Sequence, residues 1–458
     1  MNTPSLSRIL SALFCASILS TAFAGNAKLL RKVGTVSMIR GDTTVALNVG
    51  DEIPEGARVV TGSGSQAYIQ TIEGAISTLQ ENTELVVDIV KPASGTAKAE
   101  ALLDLKKGNL VSTLDPSKRD VNDYRVKTTQ GVAAARGTAF TVSVTNAGFS
   151  ITSTADSVTF ESPSGIMTIS AGMVSFTPPG ATQPLPPQPL STAIASNPAL
   201  AQIVQTAVTT VATVVQNNLG NLSAESTTNL ATQVVAVAAA AQPAQAATYA
   251  NQMVQAVTST SSATSSTSTL TAATVAAAAA KAAPEEAAAI TTQVTNIVAQ
   301  SAQAGESNTA VATVAAAVAH AAPEQAGSVA AAAAQASPAS AGVVTAAVAQ
   351  VTGISTESIA QSVAQATGST TSEVQTQASQ SSAQASTASS TATQAGDTAT
   401  QTTQNVITQP STPSTPSTPS GETTPQQPTG QTNQPTTPTE TTPAVDPTIN
   451  PVSPAGAR

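Results

Sequence analysis

The chain is poor in nearly every residue on which catalysis, metal binding or covalent bracing depends. Among 458 residues there is one cysteine, one histidine and no tryptophan; six Phe and three Tyr are the only aromatics, and 9% of residues are charged. A lone thiol, Cys15, cannot close a disulfide within the chain. A lone imidazole, His320, stands in an alanine-rich run far from the aromatic part of the sequence. With His320 so placed, and Cys15 lying in an N-terminal segment that reads as a cleaved export signal, Ser-His-Asp and Cys-His nucleophile systems and the usual His/Cys zinc sets are not expected. Carboxylate clusters remain at Asp51, Glu52 and Glu55 and at Asp115, Asp120 and Asp123, and these read as solvated turn residues. Asp120, Asn122 and Asp123 lack the glycine and closing glutamate of a calcium loop. No enzymatic activity, cofactor or metal is expected.

What the chain does contain is unevenly placed. Tyr68, Tyr124, Phe140, Phe149, Phe160 and Phe176 lie before residue 180, and beyond it only Tyr249 is aromatic. Large side chains supply most burial energy, about 1.5–3 kcal/mol each, so a sizeable core is expected only in the first 180 residues. Residues 25–180 carry 14 Lys/Arg against 15 Asp/Glu, whereas residues 181–458 carry Lys281 and Arg458 against 11 acids. Neither part has the basic patch and stacking aromatics that nucleic acid requires.

The N-terminus has the pattern of an export signal. Arg8 is followed by an apolar run from Ile9 to Leu19 and by small residues in Ala22-Phe23-Ala24. The run is shorter than the roughly 20 residues a membrane span needs. Phe14 before Cys15 does not suit lipidation. Cleavage of a signal peptide at residues 1–24 leaves no cysteine in the mature chain. No later segment reads as both long and apolar enough to span, so an exported protein of the periplasm or cell surface is expected.

Residues 28–177 read as an all-β domain. Short alternating runs recur, among them Val45-Leu47-Val49, Leu85-Val87-Ile89, Tyr124-Val126, Val158-Phe160 and Val174-Phe176. Glycine turns separate them, including Gly50-Asp51, Glu73-Gly74, Lys107-Gly108, Ala147-Gly148 and Ser164-Gly165. Such spacing suits a sandwich, barrel or β-solenoid. Thr96 to Leu105 stays open between helix, strand and loop.

An ordered set of motifs runs through this region: Val33-Gly34-Thr35-Val36, Gly50-Asp51, Val60-Thr61-Gly62, Asn82-Thr83-Glu84-Leu85, Leu103 to Leu110, Thr129 to Val144 with Arg136-Gly137-Thr138, and Ile169-Ser170-Ala171-Gly172. The set resembles the FecR domain, named for the periplasmic part of the ferric-citrate regulator. Two turns depart from the family's pattern, Glu73-Gly74-Ala75 and Asp156-Ser157. The resemblance implies an exported, solenoid-like interaction module. Its motif residues here are Gly108, Gly131, Arg136, Gly137, Thr138 and Gly172, read as structural, with Arg136 partly buried at an internal corner.

Beyond Pro178-Pro179-Gly180 the composition changes. A Pro-rich linker is expected over 178–196. Leu200, Val204, Ala207, Val211 and Val214 then make a helical stripe. Prolyl motifs at Pro198, Pro243, Pro284, Pro323 and Pro338 suit helix starts, and degenerate Ala/Val-rich helical repeats forming a loose array are expected over 197–367. Residues 368–458, rich in Ser, Thr, Gln and Pro, are expected to be disordered. The leading functional expectation is a non-catalytic cell-envelope protein whose β domain binds an envelope protein or glycan. A structural stalk in which the repeats carry the role is the alternative, and an envelope signalling regulator the weaker one.

Overall fold

The computed structural model describes residues 25–260, 265–303 and 305–407. The expected signal peptide and residues 408–458 of the expected tail lie outside them.

Two sheets face each other. Sheet I holds β1 (Ala27–Val33), β4 (Glu52–Ile53), β6 (Gln66–Ile72), β7 (Ala75–Leu79), β12 (Ala139–Thr145), β13 (Gly148–Ala155), β16 (Met173–Thr177) and β17 (Gln188–Pro189). Sheet II holds β2 (Val36–Arg40), β3 (Thr43–Ala46), β5 (Arg58–Thr61), β8 (Glu84–Lys91), β10 (Asn122–Thr128), β11 (Gly131–Ala135), β14 (Val158–Ser162) and β15 (Gly165–Ile169). The chain alternates between the sheets, mostly hairpin by hairpin. One strand, β9 (Ala99–Leu114), belongs to both. Through Lys107 it pairs with β8 and β10, and from Gly108 onward with β7 and β12. The sequence reading placed a turn at Lys107-Gly108 and left 96–105 open; the chain does not reverse there but bends from one sheet into the other.

Apolar residues alternate into the space between the sheets, as period-2 patterning requires. Leu29, Ile69, Leu79, Phe140 and Ile151 of sheet I pack in one cluster with Leu85, Tyr124, Val126 and Phe160 of sheet II. Tyr124 meets Phe140 edge-on at 6.2 Å, and its hydroxyl lies 2.7 Å from Ser77 Oγ and 2.9 Å from Ser112 Oγ. The expected Val45–Val49 run is not one strand: β3 ends at Ala46, and Val45 and Val49 are exposed while Leu47 is buried.

Twelve α-helices follow among the described residues: α1 (Leu190–Ser196), α2 (Ala199–Gln216), α3 (Ala224–Ala241), α4 (Ala246–Thr258), α5 (Ser265–Ala282), α6 (Ala287–Ser301), α7 (Ser307–Ala321), α8 (Ala326–Ala336), α9 (Ala341–Thr352), α10 (Thr356–Thr367), α11 (Thr371–Gln380) and α12 (Ser382–Ile407). One row runs α2-α4-α6-α8-α10, a second α3-α5-α7-α9-α11, and α12 lies along α9, α7, α5 and α3. Pro243, Pro284, Pro323 and Pro338 each open a short 3-10 turn leading into α4, α6, α8 and α9, where the missing N–H costs no helical hydrogen bond.

The helices pack against sheet I rather than trailing away from it. Tyr68, Ile76, Ala139, Ala155 and Val174 on its outer face share a core cluster with Leu200, Val204, Val211, Leu230 and Val234. This face is unusually rich in threonine: Thr78, Val111, Thr141 and Thr152 lie in one cross-strand row. The hydroxyls of Thr78, Thr141 and Thr152 are buried without a hydrogen-bond partner.

Three expectations change accordingly. The 178–196 segment is not wholly linker, since β17 and α1 occupy 188–196. The helices are not a loose array, because alanine's small side chain lets α5, α7 and α9 bury most of their surface. Residues 371–407, expected to be disordered, form α11 and α12, with a capping box joining Thr370 and Glu373. Counting large apolar residues misses such helices, because Ala385, Ala388, Ala392, Ala395 and Ala399 are fully buried without them. Finally, α2 is long and apolar enough to cross a membrane by length and composition, contrary to the sequence reading, with 50% of its span buried in the fold.

All three tyrosines hold their protons above the ordinary range. Burial raises Tyr68 and pushes Tyr124 and Tyr249 up to about 12, the Tyr124 shift being partly opposed by hydrogen bonds to Ser112 and Ser77. An unfolded tyrosine ionises near 10, so this contribution to stability is complete below pH 10 and is lost as pH rises from there through about 12. At about pH 10.5, spectrophotometric titration is expected to show little phenolate from Tyr124 and Tyr249 in the native chain and about three-quarters ionisation of each tyrosine in denaturant. Ionisation of all three tyrosines near 10 in the native protein contradicts this packing.

Candidate functional site

The Arg136-Gly137-Thr138 tripeptide is where the chain leaves sheet II, after β11, and enters sheet I at β12. Its position is fixed from both sides. Gly131, at the start of β11 with φ 150°, approaches β14 so closely that a Cβ would stand 2.2 Å from Glu161 O and 2.8 Å from the Phe160 ring. Gly137, with φ +66°, lies against the turn that follows β9: a Cβ there would stand 2.6 Å from Pro116 Cα. Thr138 is fully buried, and its carbonyl accepts from Leu114 N at 2.8 Å.

That turn, Asp115 to Val121, gathers the neighbouring corners. Asp115 N donates to Gly74 O at 2.7 Å, and the buried Asp115 carboxylate accepts from Ser117 N at 2.9 Å and from Ser226 Oγ of α3 at 2.6 Å. Lys118 pairs with Glu73 at 2.7 Å and Arg119 with Asp156 at 2.8 Å. The hydrogen bond to Glu73 and its charge hold the Lys118 ammonium above its usual range. Asp156, in a left-handed conformation at φ 55°, also donates its N–H to Gln233 Oε1 of α3 at 2.9 Å. The turns at Glu73 and Asp156 therefore flank the same loop and supply its two carboxylate partners.

Arg136 itself is exposed, not partly buried. Its neighbour Arg119 is paired, whereas Arg136 makes no ion pair or side-chain hydrogen bond to any described residue. The alanines before it explain this. Ala133 and Ala135 turn inward, so the next position along the chain faces outward as it leaves the sheet. Arg136 lines an open depression of about 580 Å³ together with Arg119, Asp120, Asp123, Asp156 and Ser157. Chemically this is one free guanidinium, five N–H donors with no acceptor, on a rigid crossover rimmed by carboxylates. Among the described residues no group of His, Cys, Asp or Glu is arranged to hold a metal.

The other expected motif residues are elsewhere. Gly108, with φ +96°, is the bend of β9, where a Cβ would stand 2.3 Å from Thr83 Oγ1. Gly172, with φ +76°, meets nothing closer than 3.9 Å; its N–H donates to Ser153 O at 2.9 Å and its carbonyl accepts from Leu190 N at 2.8 Å. Sequence reasoning treated Asp115 as a solvated acid. Nothing in its local sequence signals the partner 111 positions away in α3, although Asp-Pro-Ser is a typical helix-start pattern.

A family model described as FecR protein matches residues 57–158, so this segment is a FecR domain. It includes Gly108, Gly131 and Arg136-Gly137-Thr138, and Gly172 falls outside it. Two crystal structures of a candidate anti-sigma factor from Parabacteroides distasonis are similar at 14% identity and a TM-score of 0.25 each, over 29% and 31% of this chain. The matched parts cover 59% and 64% of those chains. No curated protein matches the chain.

Gly137 and Arg136 are expected to behave oppositely. Gly137→Ala combines a left-handed backbone with a clash against Pro116 and is expected to lower unfolding free energy by on the order of 3 kcal/mol. Arg136→Ala, at an exposed and unpaired position, is expected to change it by no more than about 0.5 kcal/mol. Denaturant unfolding of the two variants beside the parent measures both, and a large loss in Arg136→Ala contradicts the exposed placement.

Proposed function

We propose that this chain is an exported, non-catalytic cell-envelope protein whose FecR domain docks a partner through the Arg136 corner. One observation carries the reading: an unpaired guanidinium stands exposed on a crossover whose backbone is locked by Gly137, Pro116 and Asp115. Holding a long cationic side chain's base rigid lowers the entropic cost of using it in recognition. Arginine favours planar, bidentate acceptors, so Arg136 suits a single carboxylate of another envelope protein or of a glycan, while the nearby Asp120 and Asp123 disfavour a uniformly acidic partner. The FecR match supports a role related to envelope signalling. Export to the periplasm or cell surface is supported by the Arg8, Ile9–Leu19 and Ala22-Phe23-Ala24 pattern.

The packing of α2 and α3 on sheet I favours one body that presents the corner over a stalk in which the helices act alone. The test uses the complete chain to capture components of an envelope extract. Arg136→Glu is expected to abolish capture of a component that the parent retains, while Arg58→Glu, whose arginine is already paired with Glu84 at 3.0 Å, keeps it. Equal capture by all three chains sinks the Arg136 corner as a contact. N-terminal sequencing of the secreted chain is expected to begin at Gly25, and a chain that still carries Arg8 speaks against export with cleavage.

A further inference from the structure

The last described helix occupies a groove, and its attachment to the rest of the chain is a single non-helical residue. Helix α12 lies along α9, α7, α5 and α3. It seats through Ala385, Ala388, Ala392, Ala395, Ala399, Thr403 and Val406, each three or four residues from the last and all buried. That spacing keeps one helical face turned to the groove over some 32 Å, at about 1.5 Å per residue. The seat is small-sided throughout: nothing larger than Val406 enters it, and Thr403 Oγ1 is buried there without a hydrogen-bond partner. Closest approach is at Gly396, where a Cβ would stand 2.5 Å from the His320 ring, and beside it Asp397 Oδ1 lies 3.0 Å from His320 Nε2. Ser389 Oγ donates to Gln350 Oε1 of α9 at 2.8 Å.

The preceding helix is held independently. Helix α11 has its own capping box at Thr370 and Glu373 and packs on α9 so tightly that a Cβ on Gly342 would stand 2.7 Å from Gln377 backbone. Between α11 and α12 stands Ser381 alone, at φ −96° and ψ 11°. Hydrogen bonding continues through it: Ser381 N donates to Gln377 O at 3.0 Å, and Ser381 O accepts from Ala385 N at 2.9 Å. A change of about 33° in φ and 53° in ψ at this one residue would bring it to helical dihedrals and make Thr371 to Ile407 one continuous helix, with α12 outside its groove.

We propose that α12 is an exchangeable element, and that the groove formed by α3, α5, α7 and α9 is an interaction surface for the α12 of a second copy of this chain. The occupant is identified by fit. The surface accepts a helix with alanine at alternating spacing and glycine opposite His320, and it rejects larger side chains by collision at those positions. This chain's own α12 is such a helix. Exchange between two copies re-forms every groove contact, and straightening at Ser381 relieves a one-residue connection of the kind that invites swapping.

The test uses full-length chains carrying Cys15→Ser, so that the introduced thiols are the only ones. His320→Cys is placed in one chain and Asp397→Cys in another, and the two are refolded together at high concentration and treated with a short bifunctional thiol reagent. A cross-linked heterodimer of the two chains is expected, and Ser381→Ala is expected to raise its yield several-fold. Insertion of three glycines after Ser381, which frees α12 to fold back, is expected to lower it several-fold. The double variant His320→Cys/Asp397→Cys in a single chain reports that α12 still seats. Cross-links formed within that chain but never between the two single variants overturn the proposal. A dimer detected by light scattering without the cross-chain link overturns it too, since it places the interface elsewhere.

Discussion

Strand β9 is the constraint on which the remaining architecture depends. Each sheet needs it at its centre, because β8 and β10 pair with its first half and β7 and β12 with its second. A single strand can serve both sheets only if it bends sharply while keeping its hydrogen bonds. Gly108 supplies that bend, in a left-handed conformation and so close to Thr83 that no side chain fits. Thr83 completes the joint by accepting from Asn109 N at 3.1 Å. The two sheets are thereby tied covalently and by hydrogen bonds at their middle, and Tyr124 crosses the core from sheet II to hydroxyls of β7 and β9.

The end of the same strand sets the candidate site. Past Leu114 the chain turns through Asp115–Val121, and this turn meets the β6–β7 corner, the Arg136 crossover, the Asp156 corner and the start of α3. A buried carboxylate that accepts from both a backbone N–H and a hydroxyl is well satisfied, and removing it strands those donors. The Arg136 guanidinium is displayed from a region in which almost everything beneath it is fixed. The exposed charge is thus a consequence of the packing around it and contributes nothing evident to that packing.

Much of this was legible in the residues. Alternating Leu85-Val87, Tyr124-Val126 and Val158-Phe160 marked real strands, and the stripe Leu200-Val204-Ala207-Val211-Val214 marked the buried face of α2. The ordered glycine and Arg-Gly-Thr motifs pointed to the FecR domain. What was not legible depended on contacts distant in sequence. Lys107-Gly108 has the local chemistry of a turn, and only its two sets of partners make it a bend. Arg136 beside three alanines and a glycine suggested burial, yet outward exit from the sheet exposes it. The helical part was misjudged for a different reason: alanine contributes little area singly, so α11 and α12 resembled disordered sequence until a groove of other alanines was there to receive them.

Sandwich and helices are joined across the threonine-rich face of sheet I and are expected to unfold as one cooperative body. Thermal unfolding of the complete chain carrying Tyr68→Phe and Tyr249→Phe, followed at once by far-ultraviolet helix signal and by the near-ultraviolet signal of the remaining Tyr124, tests this most directly. Because Tyr124 lies between the sheets while α2 and α3 cover sheet I, the two signals are predicted to fall in a single coincident transition. Two separated transitions, with the helix signal lost while the tyrosine environment persists, would contradict it.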